Sequence, residues 1–338
     1  MPSISVLMPC YNMAPTLEET LQSIASQTLT NFEVIAVDDG SEDQTAEILS
    51  RWAQADSRFK FLPIEHAGII PALNAGLQTC QAELVARMDA DDLMRPTRLE
   101  KQVAFMKDHP EVDLVSSLVA GFPAEELREG FRLYIDWLNS LSDHESICRE
   151  IFVESPLCHP SVTFRKEAVL AVGGYQEHGW PEDYDLWLRG YLAGWQFAKV
   201  PEVLVDWREH PERLTRTDSR YSLENFIRAK AHYLAAGPLA DRDTVILWGA
   251  GMHGRRLSKH LLRDGVPLKV FVDIDPKKIG RTRRGLPIIA PEELEALWKQ
   301  SSQPVILASV GARGARELIR QRLDALGLEE GQDWWAVA

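Results

Sequence analysis

"ISVLMPCYNMAPTLEETLQSIASQTLTNFEVIAVDDGS" (residues 4–41) changes rhythm twice. "ISVLMP" (4–9) is an apolar run of strand length. "PTLEETLQSIASQT" (15–28) sets apolar residues at helical spacing, with Pro15 where a first helical turn tolerates it. "FEVIAVDDGS" (32–41) is apolar again and breaks into a polar turn. Strand, helix, strand in this order forms a βαβ unit, with parallel strands and the helix packed across one face.

The cycle continues through "QTAEILSRWAQA" (44–55), "FKFLPI", "IIPALNAGLQT" and "ELVARM". It predicts an α/β fold, a mostly parallel sheet flanked by helices. Such sheets bind ligands beyond the carboxyl ends of their strands. Two acidic segments fall at those ends: "VDDGSEDQT" (37–45) and "VARMDADDLMRP" (85–96). Asp89, Asp91 and Asp92 in the second repel and raise one another's pKa, and a hard divalent cation, Mg²⁺ or Mn²⁺, would relieve that crowding. Taken singly, each segment also reads as a turn, with Asp43, Asp92 or Thr97 capping the next helix. Asp39 could accept hydrogen bonds from a base or ribose, and Tyr11 could stack on that base.

Beyond residue 110 helical stretches at 127–141 and 143–153 precede a strand "SVTFR" (161–165). A helix "EDYDLWLRGYLA" (182–193) follows, with Glu182, Asp183 and Asp185 in its first turn, where the macrodipole favours acidic groups. Trp180 just before it offers a flat face to a sugar ring or to the core. A helix over 219–236 ends at Gly237-Pro238, and "GPLADRD" (237–243) reads as a linker between domains 1–236 and 244–338. The second domain opens "TVILWGAGMHG", where Gly249, Gly251 and Gly254 make a GxGxxG between strand and helix. Asp273 follows about twenty residues on, as a dinucleotide-binding loop asks. A ligand-free accessory or oligomerisation module fits that segment equally.

The 338 residues are 45% hydrophobic and 26% charged, with a net charge of −13. That acidity argues against a nucleic-acid partner, whose footprint is a basic face. Cys10, Cys80, Cys148 and Cys158 show no metal-ligand spacing, and no apolar run nears the about 20 residues of a membrane span. A cytoplasmic location is expected. The cluster Lys277, Lys278, Arg281, Arg283 and Arg284 leaves open peripheral contact with an anionic membrane surface. Nothing in the sequence sets the oligomeric state.

In order, "MPCYN", "VDDGS", "ALNAG", "ARMDADD", "HPSVTFR" and "GGYQEHGWPEDYDLWLR" resemble the family 2 glycosyltransferases of GT-A fold, over roughly residues 3–215. The resemblance implies a nucleotide-diphospho-sugar donor, UDP-linked, and a glycan, lipid-linked or other hydroxyl acceptor. It implies donor contacts from Pro9, Tyr11, Asn12, Asp39, Asn74, Asp89, His159, Trp180 and Glu182. Asp91, Asp89 and His210 would hold Mn²⁺ or Mg²⁺, and Asp183 would be the general base of an inverting transfer in polysaccharide or glycoconjugate assembly. Leu73 stands where many relatives carry Arg, which removes one phosphate contact. The Q-x-x-R-W motif of processive synthases is absent. The C-terminal segment is similar to the small Rossmann-like N-terminal domains of sugar acetyltransferases. Three other readings remain at this point. A sugar-nucleotide pyrophosphorylase would need a Gly-rich, basic signature after the first strand, where "MPCYNMAPT" stands. The others are a non-catalytic sugar-nucleotide sensor and a nicotinamide oxidoreductase using "GAGMHG".

Overall fold

A computed structural model describes residues 1–338 and divides them into two compact units. Met1–Ile147, Pro156–His178 and Glu182–Thr217 form the first; Cys148–Ser155, Gly179–Pro181 and Asp218–Ala338 form the second.

The first unit begins with the expected alternation. It runs β1 (Ile4–Cys10), α1 (Ala14–Ala25), β2 (Phe32–Asp38), α2 (Thr45–Ala55), β3 (Phe59–Pro63), α3 (Ile69–Thr79) and β4 (Leu84–Arg87). After a short β5 (Leu93–Met94) come α4 (Arg98–Asp108), β6 (Leu114–Phe122), α5 (Glu129–Ser140) and the start of α6 (His144–Glu150), whose residues from Cys148 on count with the second unit. Then follow β7 (Thr163–Arg165), α7 (Lys166–Ala171), α8 (Glu182–Leu192), β8 (Phe197–Arg208) and α9 (Leu214–Thr217). The sheet order is β3-β2-β1-β4-β7-β6-β8-β5. β3, β2, β1 and β4 are mutually parallel, β7 is antiparallel to both neighbours, and β6 and β8 are parallel. Every residue of β2 is buried, as expected for a strand covered on both faces. Leu17, Leu21 and Ile24 of α1, Leu49 of α2 and Leu99 and Met106 of α4 join the core on one face of the sheet. β8 runs unbroken through "FAKV" and "VLVDW", and its register shifts along β6.

Arg98, at the start of α4, is fully buried and braces the end of β4. Its Nη2 donates to the carbonyls of Arg87 (2.8 Å) and Val162 (3.2 Å), and its Nε to Gln102 Oε1 (3.0 Å). No side chain of another type reaches all three acceptors in this forked geometry.

In the second unit α10 (Leu223–Ala236) leads to β9 (Thr244–Trp248), α11 (Met252–Arg263), β10 (Leu268–Val272), β11 (Thr282–Arg283) and β12 (Leu286–Ile289). α12 (Leu294–Gln300), β13 (Pro304–Ala308), α13 (Ala315–Ala325) and β14 (Trp334–Ala336) complete it. Strand order β11-β12-β10-β9-β13-β14, parallel except at β11, is that of a small Rossmann-like sheet. The boundary expected at 237–243 differs from this division, which falls between Thr217 and Asp218. α10 packs on α11, its Ile227, Ala231 and Leu234 are buried, and Glu224 meets Lys259 (2.8 Å) and His260 (2.9 Å). Leu239, inside the expected linker, is buried as well.

Arg98→Ala should remove the side-chain donor to the buried Arg87 carbonyl, leave a cavity in place of a large buried side chain and lower unfolding stability by about 2–4 kcal/mol. Urea unfolding checks this: the midpoint should fall with an unchanged slope, and an unaltered midpoint would show that the brace is dispensable.

Candidate active site at the strand ends

Adjacent strands β2, β1 and β4 finish at the same edge of the sheet. Asp39 N–H donates to Cys10 O (2.9 Å), and Met88 N–H to Leu7 O (3.0 Å). The Cys10 thiol is pushed up by burial first, then by the charges of Asp38, Asp89 and Asp91. Both acidic segments therefore act on one point.

Asp39 is 3% exposed and follows β2 directly. Its carboxylate accepts the N–H groups of Ala67 (2.8 Å) and Gly68 (2.9 Å), and His66 Nδ1 lies 2.9 Å from Oδ2. The Tyr11 ring stacks on His66, centroids 4.2 Å apart and planes 23° apart. Gly40 permits this approach: its φ is +70°, and a Cβ there would meet His66 N at 2.9 Å. Asn12 joins the two loops, its N–H donating to Ser41 Oγ and its Oδ1 accepting Glu42 N–H, both at 2.9 Å. Pro9 is a half-buried β1 residue paired with Val37. A flat aromatic pair thus stands beside a fixed carboxylate with unused lone pairs.

The DADD segment is held by cationic and backbone donors. Arg87, 2% exposed, brings Nη1 to 2.5 Å from Asp89 Oδ1. His210 Nε2 lies 2.8 Å from Asp91 Oδ2. Arg208 donates its N–H to Asp92 Oδ1 (2.7 Å) and its Nε to Asp91 O (2.5 Å). Asp92 Oδ2 is buried with no partner, and burial, then Asp91 and Asp89, raise its pKa well above the carboxylate range. One oxygen from each of the three carboxylates falls within 4.8 Å of the others. An all-oxygen set with an orphaned buried acceptor suits a hard divalent cation that keeps waters or phosphates as its remaining ligands.

The start of α8 supplies a second acidic pair. Glu182 is 2% exposed, whereas Asp183 is half-buried and its Oδ1 accepts Tyr184 N–H (2.7 Å). Burial, then the neighbouring Glu182 charge, push the Asp183 pKa up to about 8, and Arg87 pulls against them. Arg87 in turn feels Asp89 and Glu182, so it links the two acidic groups. His159, 7% exposed, has Nε2 2.9 Å from Tyr175 Oη and Nδ1 3.9 Å from Glu182 Oε1. Burial, then Arg87, hold its pKa well below the usual range, so the ring is neutral.

Residues 5–172 match the model of "Glycosyl transferase family 2". The amylovoran biosynthesis glycosyltransferase AmsE of Erwinia amylovora is 38% identical over 60% of this chain and 74% of its own. The Escherichia coli UDP-Gal:alpha-D-GlcNAc-diphosphoundecaprenol beta-1,3-galactosyltransferase is 31% identical over 72% of this chain and 88% of its own.

The chain belongs to glycosyl transferase family 2.

The fold likeness extends to solved structures. S. aureus TarS 1-349 in complex with UDP superposes with a TM-score of 0.55 at 21% identity, over 78% of this chain and 71% of that one. The chain is thus a glycosyltransferase with a GT-A-type first unit.

Within this family 2 glycosyltransferase, two expected site residues, Trp180 and Asp273, need correction. Asn74 is tied to Tyr175, with Nδ2 donating to the carbonyl (2.8 Å) and Oδ1 accepting the N–H (3.0 Å). It pins α3 to the segment before α8 and keeps one amide N–H uncommitted. Trp180 is 8% exposed and packs in the second unit under Arg228 (5.6 Å) and beside His232 (5.4 Å), so its face is closed to a sugar. Asp273 accepts Ala250 N–H (2.9 Å), Asp275 N–H (3.0 Å) and Lys278 Nζ (3.0 Å), closing the glycine loop upon itself rather than reaching for a ribose. Of that loop, Gly249 and Gly254 are required by packing. A Cβ would come within 2.5 Å of Ser309 O at the first and 1.8 Å of Gly249 O at the second, while Gly251 is open. Sequence reasoning missed His66, Arg87 and Tyr175. The "EHAG" after β3 and the Arg two residues before Asp89 were the only local signals.

Calorimetric titration of Mn²⁺ into the full chain should show one site, weakened at least tenfold by Asp91→Asn. Undiminished binding by that variant would remove the DADD segment from the cation site.

Proposed function

We propose that this chain transfers one sugar at a time from a UDP-linked donor to a hydroxyl acceptor with inversion, assisted by a divalent cation. The observation that carries this reading is that Arg87, ion-paired with Asp89, also exerts its charge on the Glu182–Asp183 pair, so that an acidic cluster able to hold a cation and a raised-pKa carboxylate share one electrostatic neighbourhood. The E. coli relative is named for a UDP-Gal donor and a lipid-linked acceptor, and TarS was crystallised with UDP and with UDP-GlcNAc. Other relatives are named for amylovoran and O-antigen biosynthesis. Surface-polysaccharide assembly is the setting we infer.

In this reading Asp39 accepts a hydrogen bond from the base or ribose while Tyr11, backed by His66, stacks on the base. Asp91, Asp89 and His210 would hold the cation, which supplies Lewis-acid neutralisation of the departing diphosphate. Asp183 accepts the proton of the acceptor hydroxyl as that oxygen attacks the anomeric carbon. A pKa raised toward the working pH makes it a better proton acceptor than an ordinary carboxylate. Attack from the face opposite the leaving group, with a single base, inverts the anomeric configuration. Glu182 and His159 set the position of Asp183 and the polarity around it. No helix is long and apolar enough to cross a membrane. We place the enzyme in the cytoplasm, meeting a lipid-linked or diffusing acceptor at the inner membrane face.

Release of UDP from a panel of UDP-sugars with Mn²⁺ tests the donor class; failure of every donor, with and without lipid-linked acceptors, would contradict it. Asp183→Asn should lower turnover by about 10²–10⁴-fold with UDP affinity within twofold of wild type. Wild-type turnover would exclude Asp183 as the base. The base must be unprotonated, so kcat should fall as pH drops through the Asp183 pKa and level off above it. The midpoint should lie above the ordinary carboxylate range, and a flat profile from pH 5 to 9 would contradict the assignment.

A further inference from the structure

The second unit contains a cavity of about 250 Å³ at the point where its strand order reverses, between β9 and β13. Ser309 and Gly311 follow β13, His253 and Leu257 stand on α11 after β9, and α10 contributes Lys230 and Ile227. Open parallel sheets bind their ligands at such a switch point. The volume lies just under the roughly 300–1,000 Å³ of common ligand pockets, room for one compact molecule rather than a dinucleotide.

Two polar groups of this wall sit on buried residues. Lys230 is 5% exposed, and its ammonium donates one hydrogen bond, to the Val153 carbonyl, with the Glu154 charge nearby but no carboxylate in ion-pair contact. Ser309 is 3% exposed and lines the cavity. An unpaired buried charge is strongly unfavourable unless something neutralises it. Nearby, burial and then the Lys230 charge lower the His253 pKa, leaving a neutral ring to donate or accept. Opposite in character, Ile227 and Leu257 are buried and apolar, and Glu154 adds one acceptor. The inventory is one cation, a hydroxyl, an imidazole, an apolar side and a carboxylate.

We propose that this cavity binds a compact small molecule bearing an oxyanion, phosphate or carboxylate, against Lys230 and Ser309, with its apolar side on Ile227 and Leu257. Glu154 would accept a hydroxyl or amine of the same molecule. The site lies wholly within the second unit and uses none of the groups proposed for sugar transfer. Two preformed, desolvated donors suit an oxyanion, because charge-assisted hydrogen bonds strengthen where water is excluded.

Calorimetry on the full chain in EDTA, which suppresses cation-dependent binding at the acidic segment, tests this with inorganic phosphate and with isobutyrate as probes. At least one should bind saturably, and whichever binds tells phosphate from carboxylate recognition. Lys230→Met should weaken that binding at least tenfold, and Ser309→Ala three- to tenfold; the serine variant carries the test should Lys230→Met not fold. Absence of binding by both probes, or equal binding by wild type and the folded variants, would overturn the proposal. UDP-sugar turnover should be unchanged in both variants.

Discussion

Carboxylate repulsion at the end of β4 is the constraint that orders this active site. Asp89, Asp91 and Asp92 lie with oxygens within 4.8 Å of one another, and water cannot screen the buried Asp92. The protein answers with Arg87 on Asp89, His210 on Asp91 and the Arg208 N–H on Asp92. Arg87 ends β4, whereas Arg208 and His210 come from the end of β8 and just after it, so β8 must close on the DADD turn. Asp92 Oδ2 is left buried without a partner, and burial with the two neighbouring carboxylates raises the pKa of that group.

Arg87 extends that constraint across the site. It is buried, pairs with Asp89, and its field reaches Glu182, Asp183 and His159. A single guanidinium thus pairs with Asp89, restrains the upward shift of Asp183 and adds to the burial that keeps His159 neutral. Arg98 holds the Arg87 backbone from below, so core packing and site electrostatics are mechanically continuous.

Much of this was legible in the sequence, for local reasons. Apolar runs of strand length alternating with 3.6-residue periodicity gave β1 through β4, because both depend on neighbours a few residues apart. The acidic segments were visible because their carboxylates are adjacent in the chain. Pairings across long separations were not. Asn74 looks like a free polar group until Tyr175, 101 residues away, takes its amide. Trp180 looks like a sugar platform until Arg228 and His232 cover it. His66 reads as a lone loop histidine until Gly40 lets it reach Asp39 and Tyr11. The unit boundary was misplaced because Glu224 and Ile227, rather than local composition, decide where α10 belongs.

Diffraction from crystals grown with UDP and Mn²⁺, using the anomalous signal of manganese, tests the central claim most directly. One anomalous peak is expected, coordinated by Asp91 and by diphosphate oxygens, with the uracil against Tyr11. A peak away from the DADD segment, or a diphosphate bound elsewhere than the ends of β1, β2 and β4, would contradict it.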